Sequence, residues 1–418
     1  MKTLAILSAT AALAPMLVGA APSVGNVTLA ASGHTVNVTY DLSENAIVTL
    51  DILTNGVSVG YDKIRHLSGD VNRPVTAGTG KSIAWTPWKD WPDGGEIDCR
   101  AEVTAWAYDA PPPVCAVSLE SPGSVLFYPS LDALPGGVTN RLYKKQYLLM
   151  KKIPAAGVTW RMGTPAPTGS MPTVTNEYPH LVTLSQDYYM GVYEFTRAQW
   201  RYYNTWIGND TMPAEGTDDE IKPAGNLTFN WVWGHSTAGY NWPAEREPGN
   251  VIAFLRGRCR NALALSLPTE AQWEYAARAG NGHLYADGSD SYSTSSEYYW
   301  DQDSTLYSNE RHVVGTTTRP NAYGLYDMSG NVMELCLDVY RERILEDEVD
   351  PVGPAAEAAS ALKRVIRGGG LGEGLDWGST PYQRSVKLAH RKSLEADNGG
   401  NNTGFRVCAP AVYVPPAE

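Results

Sequence analysis

The sequence predicts an α+β, coil-rich domain preceded by an all-β sandwich of immunoglobulin or fibronectin type. Short β-branched runs that alternate with polar residues continue to about residue 110, and a proline run follows. Beyond it, Gly, Trp and Tyr dominate and long helices are few. A chain of 418 residues has room for two or three domains at roughly 100 to 200 residues each. We predict a signal peptide at 1–20, a sandwich at 22–110, a Pro-rich linker and transition at 111–145, and a second domain at 146–412.

The first twenty residues resemble a secretory signal peptide. Lys2 supplies a positive start, Leu4 to Leu17 is apolar, and small residues up to Ala20 suit cleavage. The alternative is an uncleaved anchor, which needs about 18 apolar residues, and Pro15 interrupts a shorter run. We see no other segment that is long and apolar enough to span a bilayer. The sequence therefore predicts a secreted, periplasmic or cell-surface protein with no membrane span after cleavage.

Charge and residue spacing exclude several classes of function. The chain has 33 Lys and Arg against 45 Asp and Glu, a formal net charge of −12. Such a charge repels a phosphate backbone, so we expect no nucleic-acid partner. The seven histidines form no HExxH motif and the five cysteines form no CxxC pair, so a zinc site has little support. Five cysteines in an exported chain allow two disulfides and one remaining thiol.

The first domain is predicted to consist of strands joined by turns. The Thr54-Asn55-Gly56 sequence between two β-branched runs predicts a hairpin, because Asn and Gly tolerate the positive φ angles of a type I′ turn. Strands spaced by about ten residues are typical of a sandwich. Trp85, Trp88 and Trp91 suggest either an aromatic platform for carbohydrate or packing at the sandwich edge, and we favour packing.

Two helices of the second domain are predicted by their first residues. Thr196 precedes Gln199 by three positions, and Thr269 precedes Gln272 in the same way. Each pair fits a capping box, in which the hydroxyl and the amide side chain satisfy backbone groups at the helix start. We expect the second helix to stop at Gly280.

The second domain resembles the formylglycine-generating enzyme, or sulfatase-modifying factor, family. The resemblance implies the family's variant C-type-lectin-like fold. It rests on segments that occur in the family's order: GVTWRMGT (Gly157 to Thr164), EYPHLVTLSQDYYMGVYEFTRAQW (Glu177 to Trp200), LPTEAQWEYAARAG (Leu267 to Gly280), NAYGLYDMSGNVMEL (Asn321 to Leu335), RVIRGG (Arg364 to Gly369) and NNTGFRVC (Asn401 to Cys408).

The resemblance implies a structural calcium ion in the loop DMSGNVME. The family's ligands map onto the side chains of Asp327 and Glu334 and onto the backbone carbonyls of Gly330 and Val332. Two carboxylates and two carbonyls suit a hard cation that prefers six to eight oxygens. The alternative is that Asp327 caps a turn and Glu334 pairs with a nearby arginine.

The resemblance also implies a copper-dependent oxidation, but the residues for it are missing. In the family, two cysteines between the RGG and GFR strands hold copper, since soft thiolates select the monovalent ion. Here the interval from Gly370 to Thr403 contains no cysteine. Cys336 precedes the interval and Cys408 follows it, so we expect no copper and assign no catalytic residue. A site of Glu373, Asp376, His390 and Glu395 is conceivable, although such a loop is more often simply solvated.

The family's disulfide suggests a pairing for two of the cysteines. A bridge between the helix before LPTEAQW and the last strand corresponds here to Cys259 with Cys408, and a further bridge of Cys99 with Cys115 is a weaker prediction. The partner of Cys336 stays open.

Two functions remain in competition. The first is a binding or cell-surface module that recognises an unknown protein or carbohydrate at an extracytoplasmic surface. Its ligand-binding loop lies between the RGG and GFR strands, and aromatic and Arg side chains there suit recognition. The candidate residues are Glu373, Asp376, Trp377, Tyr382, Gln383 and Arg384. The second function is a divergent formylglycine-generating enzyme, or another oxidoreductase acting on a sulfatase or another exported client. We favour the binding module.

Overall fold

The protein is a mixed α and β chain, rich in sheet and with short helices, as seen in a computed structural model. The structure describes residues 21–92, 99–164, 177–208, 218–234, 242–243, 249–291, 311–316, 319–342, 344, 346–353, 363–370, 386–400 and 402–416. The signal peptide and the proposed ligand-binding residues from Glu373 to Arg384 lie outside these ranges.

Two sheets form the N-terminal region. The first has the strand order β1-β2-β7-β5, and in the second β3 pairs with β8 on one side and with β4 and β6 on the other. The pairings within both sheets are antiparallel. The strands are β1 (Val24–Ser32), β2 (Thr35–Leu42), β3 (Ala46–Thr54), β4 (Val57–Ser58), β5 (Leu67–Gly69), β6 (Arg73–Val75), β7 (Gly78–Trp85) and β8 (Cys99–Trp106). Their assignment to an immunoglobulin or fibronectin type stays a prediction.

The predicted turn and the packing of the tryptophans are visible in this region. Asn55 and Gly56 have φ angles of 51° and 78° between β3 and β4, as a type I′ turn requires. Trp85 is buried in the core between the sheets, whereas Trp88 is exposed and Trp91 is only half-buried beneath the Lys63 ammonium. The three rings therefore do not share one surface, and Trp85 serves packing.

Three further sheets form the rest of the protein. Their strand orders are β10-β9-β11-β14-β20, β12-β13-β16 and β18-β17-β15-β19. The strands are β9 (Val114–Ser118), β10 (Val125–Tyr128), β11 (Tyr147–Ile153), β12 (Val158–Met162), β13 (His180–Leu184), β14 (Tyr188–Gly191), β15 (Met333–Val339), β16 (Glu348–Val349), β17 (Lys363–Arg367), β18 (Arg391–Glu395), β19 (Thr403–Gly404) and β20 (Cys408–Pro410).

The interval that the sequence predicted as linker and transition, 111–145, belongs to this fold. All of β9 is buried, and it pairs with β10 on one side and β11 on the other. The prolines follow a turn after the end of β8 at Trp106, and the apolar run after them is a central strand of the five-stranded sheet. The domain boundary at the prolines stays a prediction.

The helices are short and depend on packing. They are α1 (Pro87–Asp90), α2 (Leu142–Lys145), α3 (Arg197–Trp206), α4 (Phe229–Val232), α5 (Val251–Arg258) and α6 (Glu270–Arg278). Both predicted capping boxes are present, at Thr196 with Gln199 and at Thr269 with Gln272. The helix α6 ends at Arg278, where Ala279 adopts a left-handed conformation just before Gly280. In the part of the chain that the structure describes, no helix has the length and apolarity needed to cross a membrane.

Candidate functional site

A buried ion pair occupies the loop predicted to bind calcium. Arg406 donates to both carboxylate oxygens of Glu334, from Nε to Oε2 at 2.6 Å and from Nη2 to Oε1 at 2.5 Å. The indole Nε1 of Trp273 donates to the same Oε2 at 2.7 Å. The side chains of Arg406 and Glu334 are 0% and 1% exposed. Glu334 thus joins α6, β15 and the segment before β20 at one point.

Two more carboxylates lie in this region. Glu194 accepts hydrogen bonds from Asn331 Nδ2 at 2.6 Å and from the backbone N–H of Val332 at 3.1 Å. Asp327 accepts from the backbone N–H of Gly315 at 2.7 Å. Burial, followed by the nearby charges of Asp327 and Glu334, raises the pKa of Glu194 well above its usual range. The cluster therefore favours a proton or another positive charge close to these carboxylates.

The donor set fits a calcium ion only in part. The charge balance favours a cation, but three hydrogen bonds from Arg406 and Trp273 leave Glu334 with one acceptor position on Oε1. No group of three or more His, Cys, Asp and Glu side chains is arranged for a metal ion within the described ranges. A site of two carboxylates and two carbonyls is not of that kind. The calcium site at Asp327, Gly330, Val332 and Glu334 stays a prediction.

A second buried ionic network surrounds α6. Arg391 donates to both oxygens of Glu270, at 2.7 Å and 2.6 Å. Glu274 accepts from Arg367 and, at 2.8 Å, from Arg278 Nε. These side chains come from α6, β17 and β18, so the LPTEAQWEYAAR and RVIRGG motifs hold each other together. The network has the character of scaffold, because its charges are paired and buried.

Asp338 on β15 is the most unusual titratable group of this network. Its Oδ2 accepts from the backbone N–H of Glu270 at 2.8 Å. Burial, followed by the negative charge of Glu270, raises the pKa of Asp338 to about 8. The group is therefore largely protonated at neutral pH, and no cavity of a size for substrate opens onto it in the described structure: the space beside it is about 10 Å³.

All five cysteines lie in the described part of the chain and no disulfide joins any of them, so the predicted bridges of Cys259 with Cys408 and of Cys99 with Cys115 are not shown. Cys408 exchanges backbone hydrogen bonds with Ser266, at 2.7 Å and 2.8 Å, so Ser266 and not Cys259 faces the last strand. Cys259 lies at the end of α5 in a different core, which it shares with Cys115. Cys99 pairs with Thr54 at the start of β8, whereas Cys115 belongs to β9.

The two cysteines that flank the RGG-to-GFR interval are buried. Cys336 and Cys408 are 0% exposed and belong to the same apolar cluster as Trp273. Burial raises the pKa of both thiols, and for Cys336 the carboxyl group of Asp338 adds to this effect. A thiol with a raised pKa and no solvent contact is a poor nucleophile and a poor copper ligand.

The base of the predicted ligand-binding loop is well held. Arg367 on β17 faces Arg391 on β18 in antiparallel register. The Nη1 atom of Arg367 donates to the backbone carbonyls of Ala389 and His390, at 2.8 Å and 2.6 Å. The paired strands β17 and β18 therefore lie on either side of the interval 371–385 in the chain. His390 lies just before β18, with its Nδ1 atom 3.3 Å from Glu177 Oε1, whereas Glu395 is exposed at the far end of β18. His390 and Glu395, two residues of the conceivable acid site, are therefore apart in the fold.

Sequence reasoning missed Glu194 and Arg406. Both lie in segments that match the family, but they are far from the DMSGNVME loop in the chain. A charged residue within an otherwise apolar run, as in GVYEF and GFRV, was the available signal, because such residues are rarely buried without a partner.

Comparison with known proteins gives the family. Residues 153–411 match the model of the sulfatase-modifying factor enzyme 1-like domain. The chain is 36% identical over 208 residues to a formylglycine-generating enzyme of Streptomyces coelicolor, covering 47% of this chain and 56% of that one. It is 26% identical to the formylglycine-generating enzyme of Mus musculus, covering 65% of this chain and 77% of that one. A Bos taurus protein named inactive C-alpha-formylglycine-generating enzyme 2 is 30% identical, over 36% of this chain and 46% of its own length.

Proposed function

The chain belongs to the family of sulfatase-modifying factor enzyme 1-like domains, and from this premise we propose that it is an exported recognition module without the family's copper-dependent oxidation. The observation that carries the proposal is the position of the thiols. The interval from Gly370 to Thr403 contains no cysteine, and the flanking Cys336 and Cys408 are buried in the apolar core. A cysteine of a client peptide would therefore find no accessible thiolate, and no metal bound by thiolates, at this interval.

The recognition surface of this proposal is the loop with Glu373, Asp376, Trp377, Tyr382, Gln383 and Arg384. Support comes from the paired strands β17 and β18, which lie before and after this loop in the chain. Loops on a rigid scaffold are the usual place for binding residues. The ligand of this loop is a protein or a carbohydrate at an extracytoplasmic surface. Calcium at the DMSGNVME loop is a structural part of the same proposal.

The competing function is a divergent formylglycine-generating enzyme, which the names of several relatives favour. One relative is itself named as inactive, which supports a fold that is kept without the oxidation. The enzyme requires an accessible thiol, whereas the recognition module does not.

Turnover distinguishes the two functions. The mature chain, supplied with copper, oxygen and a thiol reductant, is incubated with a peptide bearing the CxPxR motif, and aldehyde is measured by mass spectrometry. The Streptomyces coelicolor relative, assayed in parallel, is the positive control. We expect no aldehyde from this chain. Aldehyde that accumulates catalytically, and that disappears in a Cys336→Ser or Cys408→Ser variant, would overturn the proposal.

A further inference from the structure

A cavity of about 590 Å³ opens beside α3, far in sequence from the loop 371–385. Its volume is within the range of roughly 300 to 1,000 Å³ that small-molecule sites occupy. One face of α3, the end of α2 and the end of α5 form its walls. The lining residues are Lys145, Gln146, Ala198, Arg201, Tyr202, Thr205, Trp206, Glu220 and Arg258.

Positive charge dominates the lining. Three cations, Lys145, Arg201 and Arg258, stand against one carboxylate, Glu220, which leaves two positive charges in excess. Glu220 is buried, and Lys145 Nζ lies 2.5 Å from its Oε1 while Arg201 Nη1 lies 3.8 Å from its Oε2. Glu220 therefore holds two of the cations in place at the cavity wall. An anionic ligand gains more from such a wall than a neutral ligand does.

Arg258 is the third cation of the lining, and it does not pair with Glu220. Its guanidinium lies 5.0 Å above the Phe254 ring, and its Nε is buried without a hydrogen-bond partner. Among the described residues, no carboxylate forms a salt bridge with it. A guanidinium at the cavity wall that has no carboxylate partner among the described residues suits a charge-assisted hydrogen bond with an anionic ligand.

Aromatic and neutral polar groups complete the lining. The Trp206 side chain is 51% exposed and packs against Phe254, with the ring planes tilted by 43° and 5.6 Å between ring centroids. Tyr202 donates its hydroxyl to Glu120 Oε1 at 2.8 Å, which fixes its ring. Gln146 and Thr205 add an amide and a hydroxyl. Cations, flat apolar rings and neutral hydrogen-bonding groups together match a sugar that carries acidic groups.

We propose that this cavity binds an acidic saccharide. A carboxylate or sulfate group of the ligand contacts Lys145 and Arg258, its hydroxyl groups bond to Gln146 and Thr205, and one sugar face stacks on Trp206. The alternative is a purely structural role, in which the cations only neutralise the charge of Glu220. That explanation accounts for Lys145 and Arg201. It does not account for Arg258, which contacts the Phe254 ring, or for Trp206, whose side chain stays 51% exposed beside the cavity.

Isothermal titration of the full mature chain at low salt tests the proposal with three probes. A hyaluronan tetrasaccharide carries carboxylates only, a chondroitin sulfate tetrasaccharide carries carboxylates and sulfates, and chitotetraose is neutral. We expect at least one acidic probe to bind at least about tenfold more tightly than chitotetraose, with affinity that falls as salt rises. Binding of both acidic probes identifies the carboxylate as sufficient, and binding of chondroitin sulfate alone identifies the sulfate.

Two variants locate the binding. Arg258→Gln removes a cation of the lining that has no carboxylate partner among the described residues, and we expect a loss of at least about tenfold in affinity for the acidic probe. Arg161→Gln removes the same charge from an exposed position on β12 and is the matched control, with unchanged affinity expected. Trp206→Ala weakens the same probe through the lost ring. Unchanged melting temperatures show that the variants are folded.

Three results would overturn the proposal: no binding of any probe at millimolar concentration, equal affinity for acidic and neutral probes, or equal effects of Arg258→Gln and Arg161→Gln. None of them bears on the oxidation assay, because no cysteine lines this cavity. The two proposals therefore stand or fall separately.

Discussion

Replacing Glu334 with Gln tests the ion pair that joins three parts of the fold. The native carboxylate accepts three hydrogen bonds, two from Arg406 and one from Trp273, at 2.5 to 2.7 Å. Gln keeps the volume but turns an amide donor towards the guanidinium, so Arg406 loses its nearest negative charge. Removing one partner of a buried pair costs about 3 to 5 kcal/mol. Glu194 and Asp327 still act on Arg406 from nearby, which places the expected loss at the lower end of that range, about 3 kcal/mol.

Urea unfolding followed by tryptophan fluorescence measures this loss. The matched control is Glu348→Gln, which removes the carboxylate that Arg341 Nη2 contacts at 2.5 Å in a partly exposed pair. Pairs near solvent contribute about 0 to 1 kcal/mol, so the control should hardly shift the midpoint. A Glu334→Gln variant that lies within about 1 kcal/mol of the parent would refute the reasoning, because a buried guanidinium that has lost its hydrogen-bonded carboxylate should cost more than that.

Three further predictions concern calcium, pH and backbone packing. If calcium binds the DMSGNVME loop, chelator lowers the melting temperature of the parent but not of an Asp327→Ala, Glu334→Ala variant; an unchanged parent shows that no calcium is bound. Because the pKa of Asp338 is raised to about 8, the folded state holds its proton between about pH 4 and 8. Stability from this group therefore falls as pH rises through that window, by at most about 1.4 kcal/mol per unit. Asp338→Asn should gain stability over the parent as pH rises from 5 to 8, and parallel curves would contradict this. Gly368→Ala should lower the melting temperature, because φ is 87° and a Cβ atom would lie 3.1 Å from Trp273 Cζ2, and an unaltered value would show that the turn adapts.

Local features of the fold were predictable from the sequence because they depend on neighbouring residues. The Asn55-Gly56 turn and the two capping boxes need only residues within four positions of each other, and all three are present. The helix α5 was expected only through the family resemblance, as the helix before LPTEAQW, although Asn250 caps it by accepting from the N–H of Ala253 at 2.8 Å. An Asn before an apolar run was a sufficient signal for it.

Features that depend on distant contacts were not predictable in the same way. The choice of Ser266 rather than Cys259 as the neighbour of Cys408 follows from the path of the chain after α5, which spacing does not reveal. The same holds for Glu334, whose two partners, Trp273 and Arg406, are 61 and 72 residues away. The family resemblance supplied the loop, and the pairing of Glu334 with an arginine was the alternative to calcium, but which arginine forms the pair is visible only in three dimensions.

The central claim, that this member of the family has no thiolate site for copper, is tested most directly by copper(I) titration. The reduced mature chain is titrated against a chromophoric competitor for copper(I), and the Cys336→Ser and Cys408→Ser variants are treated alike. Since both thiols are buried with raised pKa values, we predict no tight equivalent and identical curves for parent and variants. One tightly bound equivalent in the parent that either variant loses would contradict the account.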